Sequence, residues 1–68
     1  MTNLVEFIKE VKSEINNRAY RVQKIVVGEL NHYIIDYKVD FGYMYCTSTD
    51  SKEQMENYMY ILLNQKLQ

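Results

Sequence analysis

The chain has 68 residues, 47% hydrophobic and 25% charged, with a net charge of −1, which describes one folded domain of ordinary composition without the cation excess of a protein that lives on phosphate backbones. One cysteine and one histidine exclude an internal disulfide and a four-ligand Cys/His zinc site. No stretch approaches the ~20 consecutive apolar residues of a membrane-spanning helix.

Residues 1–68 read as a single domain with no linker, repeat or low-complexity tract. Leu4, Phe7, Ile8, Val11 and Ile15 recur at helical spacing, and Asn3 with Glu6 has the form of a capping box. The spacing predicts a first helix over Leu4–Asn16, ended by Asn16-Asn17 because asparagine tolerates the left-handed backbone. A strand over Ala19–Val27 follows. It carries Tyr20, Val22 and Val26 on one face and Ile25 and Val27 on the other, so it has a bulge near Lys24 or is covered on both faces.

Gly28–Asn31 is a turn. From His32 to Asp40, Tyr33, Ile35, Tyr37 and Val39 alternate with His32, Ile34, Asp36, Lys38 and Asp40, the pattern of a half-buried strand. Phe41-Gly42 then makes a hairpin turn into a strand over Tyr43–Ser48. The hydrophobic period changes after Asp50, which with Glu53 caps a second helix running from Ser51 to near Lys66. Met55, Tyr58, Met59, Leu62 and Leu63 face inward. The expected fold is α+β: an α-β-β-β-α order with a three-stranded antiparallel sheet and two helices packed on one face.

Catalytic chemistry is not written into these residues. His32 has no second histidine or sequence-local partner to make it a base or a ligand, and Cys46 alternates with Tyr45 and Thr47 as a small packing residue in a strand. No phosphate-binding glycine loop, Walker lysine or HExxH motif occurs. The expectation is a protein that is not an enzyme and has no cofactor, no metal site and no catalytic residue. Two surface features remain. Tyr60 lies off the Met55/Met59 stripe and is of a residue type enriched at interfaces. The acids Asp36, Asp40, Asp50, Glu53 and Glu56 fall in loops, on the polar face of the central strand and at the second helix start, where capping and the helix dipole explain some of them.

The α-β-β-β-α order resembles the double-stranded-RNA-binding domain. Tyr20, Gly28 and the alternating strand fit that family's pattern, and Ser51-Lys52 is similar to the opening of its Ser-Lys-Lys-x-Ala-Lys motif. Glu53 and Glu56 stand where the family has its next two lysines, and Met55 replaces its small residue, so carboxylates would oppose RNA there. The segments Asn3–Val11, Tyr33–Ser48 and Asp50–Leu63 also resemble small phage-encoded anti-CRISPR proteins, which inhibit type II effector nucleases. That resemblance implies Asp36, Asp40, Asp50, Glu53 and Glu56 as mimics of DNA phosphate facing a basic cleft.

Abundant Asn, Lys, Ile and Tyr, with Pro and Trp absent, fit A/T-rich codons and hence a low-GC bacterium or its phage. The expected function is a small non-enzymatic inhibitor from a phage or mobile element. It would act in the host cytoplasm by binding a host protein such as a nuclease or nucleic-acid-binding complex, with Asp36, Asp40, Asp50, Glu53, Glu56 and Tyr60 at the contact. The competing readings are a nucleic-acid-binding module of double-stranded-RNA-binding topology and a structural homodimer. No membrane association and no direct nucleic-acid contact are expected of the inhibitor. Glu6 within the first apolar stretch argues against a signal peptide.

Overall fold

The computed structural model describes residues 4–67. Four strands, β1 (Leu4–Lys12), β2 (Ala19–Val27), β3 (Leu30–Val39) and β4 (Gly42–Thr49), precede one helix, α1 (Lys52–Leu63). The strands form an antiparallel meander in the order β1-β2-β3-β4, and α1 lies across one face. The expected α-β-β-β-α order is corrected to β-β-β-β-α, with four strands and a single helix among the described residues. The capping role assigned to Asn3 lies outside the described residues.

The first segment reads as a helix because its strand is bulged. β1 pairs in register with β2 from Leu4↔Val26 to Phe7↔Gln23, and again from Lys9↔Val22 to Lys12↔Ala19, with Ile8 inserted between. A bulge residue reverses the in-out alternation for everything beyond it. Leu4, Ile8 and Val11 therefore share the helix side of the sheet although their numbers have mixed parity, which imitates a 3.6-residue period. Glu6 and Lys9 also lie on that side, where Glu6 meets Lys24 at 3.5 Å and Lys9 meets Glu56 of α1 at 2.7 Å.

β2 occupies the residues expected of it, but it is neither bulged in its β3 register nor covered on both faces. Its register with β3 is continuous from Tyr20↔Tyr37 to Val27↔Leu30. The hairpin between them turns on Gly28-Glu29, with Gly28 at φ +63° supplying the first loop position of a type II′ turn. The next turn is Asp40-Phe41, and Gly42 (φ +143°) is the first residue of β4, so turn and strand both start one position earlier than expected. Cys46 forms a second bulge, opposite the Ile35–Asp36 step.

The core lies between α1 and the sheet. Tyr20, Val22, Tyr33, Ile35, Met55 and Met59 are buried there, with Ile8, Tyr37, Cys46, Tyr58, Leu62 and Leu63 packed around them. The helical stripe read after Asp50 thus faces inward as its period requires. At one end Arg18 stacks 4.2 Å from the Tyr37 ring centroid, and Tyr37 lies tilted against Tyr20.

Both ends of α1 are secured by side chains. Ser51, not Asp50, is the N-cap, accepting from the Gln54 N–H at 3.2 Å. At the other end the β1–β2 turn reaches over the last helical turn. Ser13 Oγ donates to the Leu63 carbonyl at 2.6 Å, and Asn16 Nδ2 donates to the Leu62 and Gln65 carbonyls at 2.9 and 2.8 Å. The Leu63 carbonyl is the orphan acceptor at the helix end, whereas the Leu62 carbonyl also accepts from the Gln65 N–H at 3.4 Å and Gln65 lies beyond the helix. Ser13 Oγ also accepts from the Ile15 and Asn16 N–H groups at 3.1 Å, and Asn17 takes the left-handed backbone (φ 65°). The asparagine pair ends its segment as expected, but the segment is a strand and the carbonyls capped belong to another element.

Ser13→Ala leaves the Leu63 carbonyl and two turn N–H groups without a partner in a site only 2% exposed. The expected loss is ~1–3 kcal/mol, against a total of roughly 3–10 kcal/mol for a domain of this size. Urea denaturation followed by far-UV circular dichroism measures it, with Met59→Ala, expected to cost ~2–5 kcal/mol, as the core reference.

Candidate functional site

With α1 on one side, the opposite face of the sheet has no covering layer among the described residues. The molecule is a slab of 42 × 28 × 16 Å. Its radius of gyration, 12.5 Å, exceeds the ~11 Å of a compact domain of this length. Its accessible surface, 5112 Å², exceeds the ~4,500 Å² scaling value for this mass. The excess is what a two-layer fold with a bare sheet face produces.

Register places the side chains on this face. Val5 and Phe7 of β1 stand opposite Ile25 and Gln23 of β2, and Ile25 and Val27 stand opposite His32 and Leu30 of β3. Together with Ile34 they make an apolar half, at the end of the sheet that holds the β2–β3 hairpin. Phe7, Val5 and Leu30 are 60%, 57% and 72% exposed. The second apolar set of β2, Ile25 and Val27, was the visible sign of this surface in the sequence. Phe7 and Val5 were not legible, because the bulge hid which side they take.

The other half of the face is a polar belt drawn from all four strands. Arg21 (β2) makes a bidentate pair with Asp36 (β3), Nε to Oδ1 at 2.9 Å and Nη2 to Oδ2 at 2.6 Å. Its guanidinium lies 3.5 Å from the centroid of the Tyr43 ring (β4), and the Tyr43 hydroxyl donates to Glu10 of β1 at 2.8 Å. Tyr45 and Ser48 share a hydrogen bond of 2.9 Å beside it. Planar stacking and forked hydrogen bonding fix Arg21 in one orientation, a role lysine cannot fill. The hydrogen bond to Glu10, together with desolvation and the negative charge of Glu10, raises the Tyr43 pKa above the ordinary tyrosine value.

The acids expected to act together are dispersed. Asp36 is buried and neutralised by Arg21. Asp50 pairs with His32 Nδ1 at the start of α1, near Glu53 in its first turn. Asp40 sits in the β3–β4 turn, eight residues along β3 from His32 and so ~26 Å away at the other end of the sheet. Glu56 pairs with Lys9. Three of the five are engaged by internal partners, two of them the cations Arg21 and Lys9, and no common surface collects all five. Tyr60 is exposed on α1, on the side of the molecule away from the bare sheet face.

Among the described residues, no three His, Cys, Asp or Glu side chains converge as a metal site, and no helix is long and apolar enough to cross a membrane. Cys46 is half-buried, and burial pushes its thiol pKa up. A hollow of about 540 Å³ beside the first turn is lined by Lys12, Ser13, Glu14 and Asn17, but Ser13 is already committed to the helix end. The fold and this face define a two-layer α+β domain with one bare, half-apolar sheet surface. In comparison with known proteins, no family model, no curated protein and no solved structure matches the chain.

Two titrations check the electrostatics of the belt and of Cys46. With ¹³C-labelled tyrosine, Tyr43 is expected to ionise above the ordinary range, and Glu10→Gln to bring it down. A raised phenol pKa means the folded state holds the proton more tightly, so this contribution to stability is present below the ordinary tyrosine pKa and is lost as pH rises through the folded value. For Cys46 the expected result is slower reaction with a disulfide reagent at neutral pH than that of a free cysteine peptide, since less thiolate is present.

Proposed function

We propose that this chain is a non-enzymatic protein-binding domain that works by laying its bare sheet face against a larger protein. The observation that carries the reading is the apolar half of that face, Val5, Phe7, Ile25, Val27, Leu30 and Ile34. It adjoins the oriented Arg21–Tyr43 pair, the kind of aromatic and arginine anchor on which interfaces depend. Large exposed apolar patches on small domains mark interaction surfaces.

The partner class we propose is a nuclease or other nucleic-acid-processing or defence protein of a low-GC host, with the chain supplied by a phage or mobile element and acting in the host cytoplasm. Residue composition supports that source. The contact we propose is apolar and aromatic rather than a phosphate mimic, because the acids are dispersed and three are paired internally.

Phe7→Glu changes an exposed side chain, so stability is expected to shift by no more than ~0.5 kcal/mol. Immobilised wild-type chain is expected to retain a host nuclease or nucleic-acid-binding protein from nuclease-treated lysate of a low-GC bacterium, and Phe7→Glu with Leu30→Lys to lose it. Tight, salt-sensitive binding of the free domain to duplex RNA or DNA in a mobility-shift assay would overturn the proposal.

A further inference from the structure

The two edges of the sheet are not equivalent. β1 carries Glu6, Lys9, Glu10 and Lys12 along nine residues, the charged and bulged edge by which proteins prevent strands from adding. β4, Gly-Tyr-Met-Tyr-Cys-Thr-Ser-Thr, has neither a charge nor a proline in eight residues. No strand pairs with its outer side among the described residues. Gly42, Tyr43, Met44 and Tyr45 are exposed, whereas the residues from Cys46 onward are half-buried. The bulge at Cys46 bends the strand there without adding a charge.

We propose that the Gly42–Cys46 half of β4 pairs antiparallel with the same segment of a second copy of this chain, about a twofold axis at Met44. The choice of occupant follows from charge. An isologous contact sets each residue against one from its own strand. In this register Gly42 opposes Cys46, Tyr43 opposes Tyr45 and Met44 opposes Met44, so no like charges meet. The same operation on β1 about Ile8 would set Glu6 against Glu10, a destabilising pair.

Met44 is 53% exposed and, opposite Tyr37, lies on the helix side of the sheet along this edge. The result is an eight-stranded sheet with the two helices on one side and the two bare faces joined on the other. This pairing does not depend on what binds the bare face.

Sedimentation equilibrium of the wild-type chain across micromolar concentrations is expected to show a dimer. Met44→Lys and Met44→Glu each place like charges across the axis and are expected to weaken dimerisation by about tenfold or more. An equimolar mixture of the two is expected to restore the dimer, and this rescue also shows that both variants are folded. In hydrogen exchange, the β4 amides not bonded to β3 are expected to be protected at high concentration and to exchange on dilution. A wild-type monomer throughout the range overturns the proposal. So does a dimer that survives Met44→Lys but is lost in Phe7→Glu, which would place the contact on the bare face, or a Lys/Glu mixture that stays monomeric.

Discussion

The fold rests on the hydrogen bonds by which Ser13 and Asn16 hold the far end of the helix. α1 has only 12 residues, too few to be stable alone in water. Its first turn is tied to the sheet by chain continuity after β4. Its last carbonyl, that of Leu63, takes its donor from Ser13 of the β1–β2 turn, while the Tyr60, Ile61 and Leu62 carbonyls also have donors from Asn64 and Gln65. The same Ser13 hydroxyl orders the turn itself, so the helix end and the β1–β2 connection form one unit. It adds to the packing that sets Met55 and Met59 over Tyr20, Val22 and Ile35.

Holding one short helix across four strands leaves the fold with a single covered face. The other face is stabilised within itself, by Arg21, Asp36, Tyr43 and Glu10 in the half where charges lie. The remaining half is mostly aliphatic and aromatic, with Gln23 and His32 among its side chains, and no layer covers it among the described residues. In this division the Asp36 carboxylate serves to orient an arginine. Asp50 and Glu56 are likewise engaged, by His32 and Lys9.

Much of the fold was legible where a single periodicity governs a segment. β2, the alternation of β3 and the inward stripe of α1 stand close to where the residue pattern puts them, because each packs one uninterrupted face. β1 was not legible. Its bulge at Ile8 breaks the period of two, and five apolar residues then match a helix better than a strand. Pairing with β2, a tertiary contact absent from local pattern, decides the outcome. At the helix start Asp50 and Ser51 are both good caps, and sequence does not reveal that His32 claims the first. The bare face was partly visible, since Ile25 and Val27 required a second apolar side to β2. Which residues of β1 join them depends on the bulge.

That extra residue in β1 also shapes how the surface can change by heredity. Phe7↔Gln23 and Lys9↔Val22 are consecutive rungs of the ladder, so loss of the Ile8 codon would leave both pairs in place, with Val5 and Phe7 still outward and Leu4 and Glu6 still toward the helix. In a strand without such a spare residue, the loss of one codon turns the side chains on one side of the gap over as a block. β1 thus holds one residue in reserve, and a deletion there would be absorbed where a regular strand would exchange its faces.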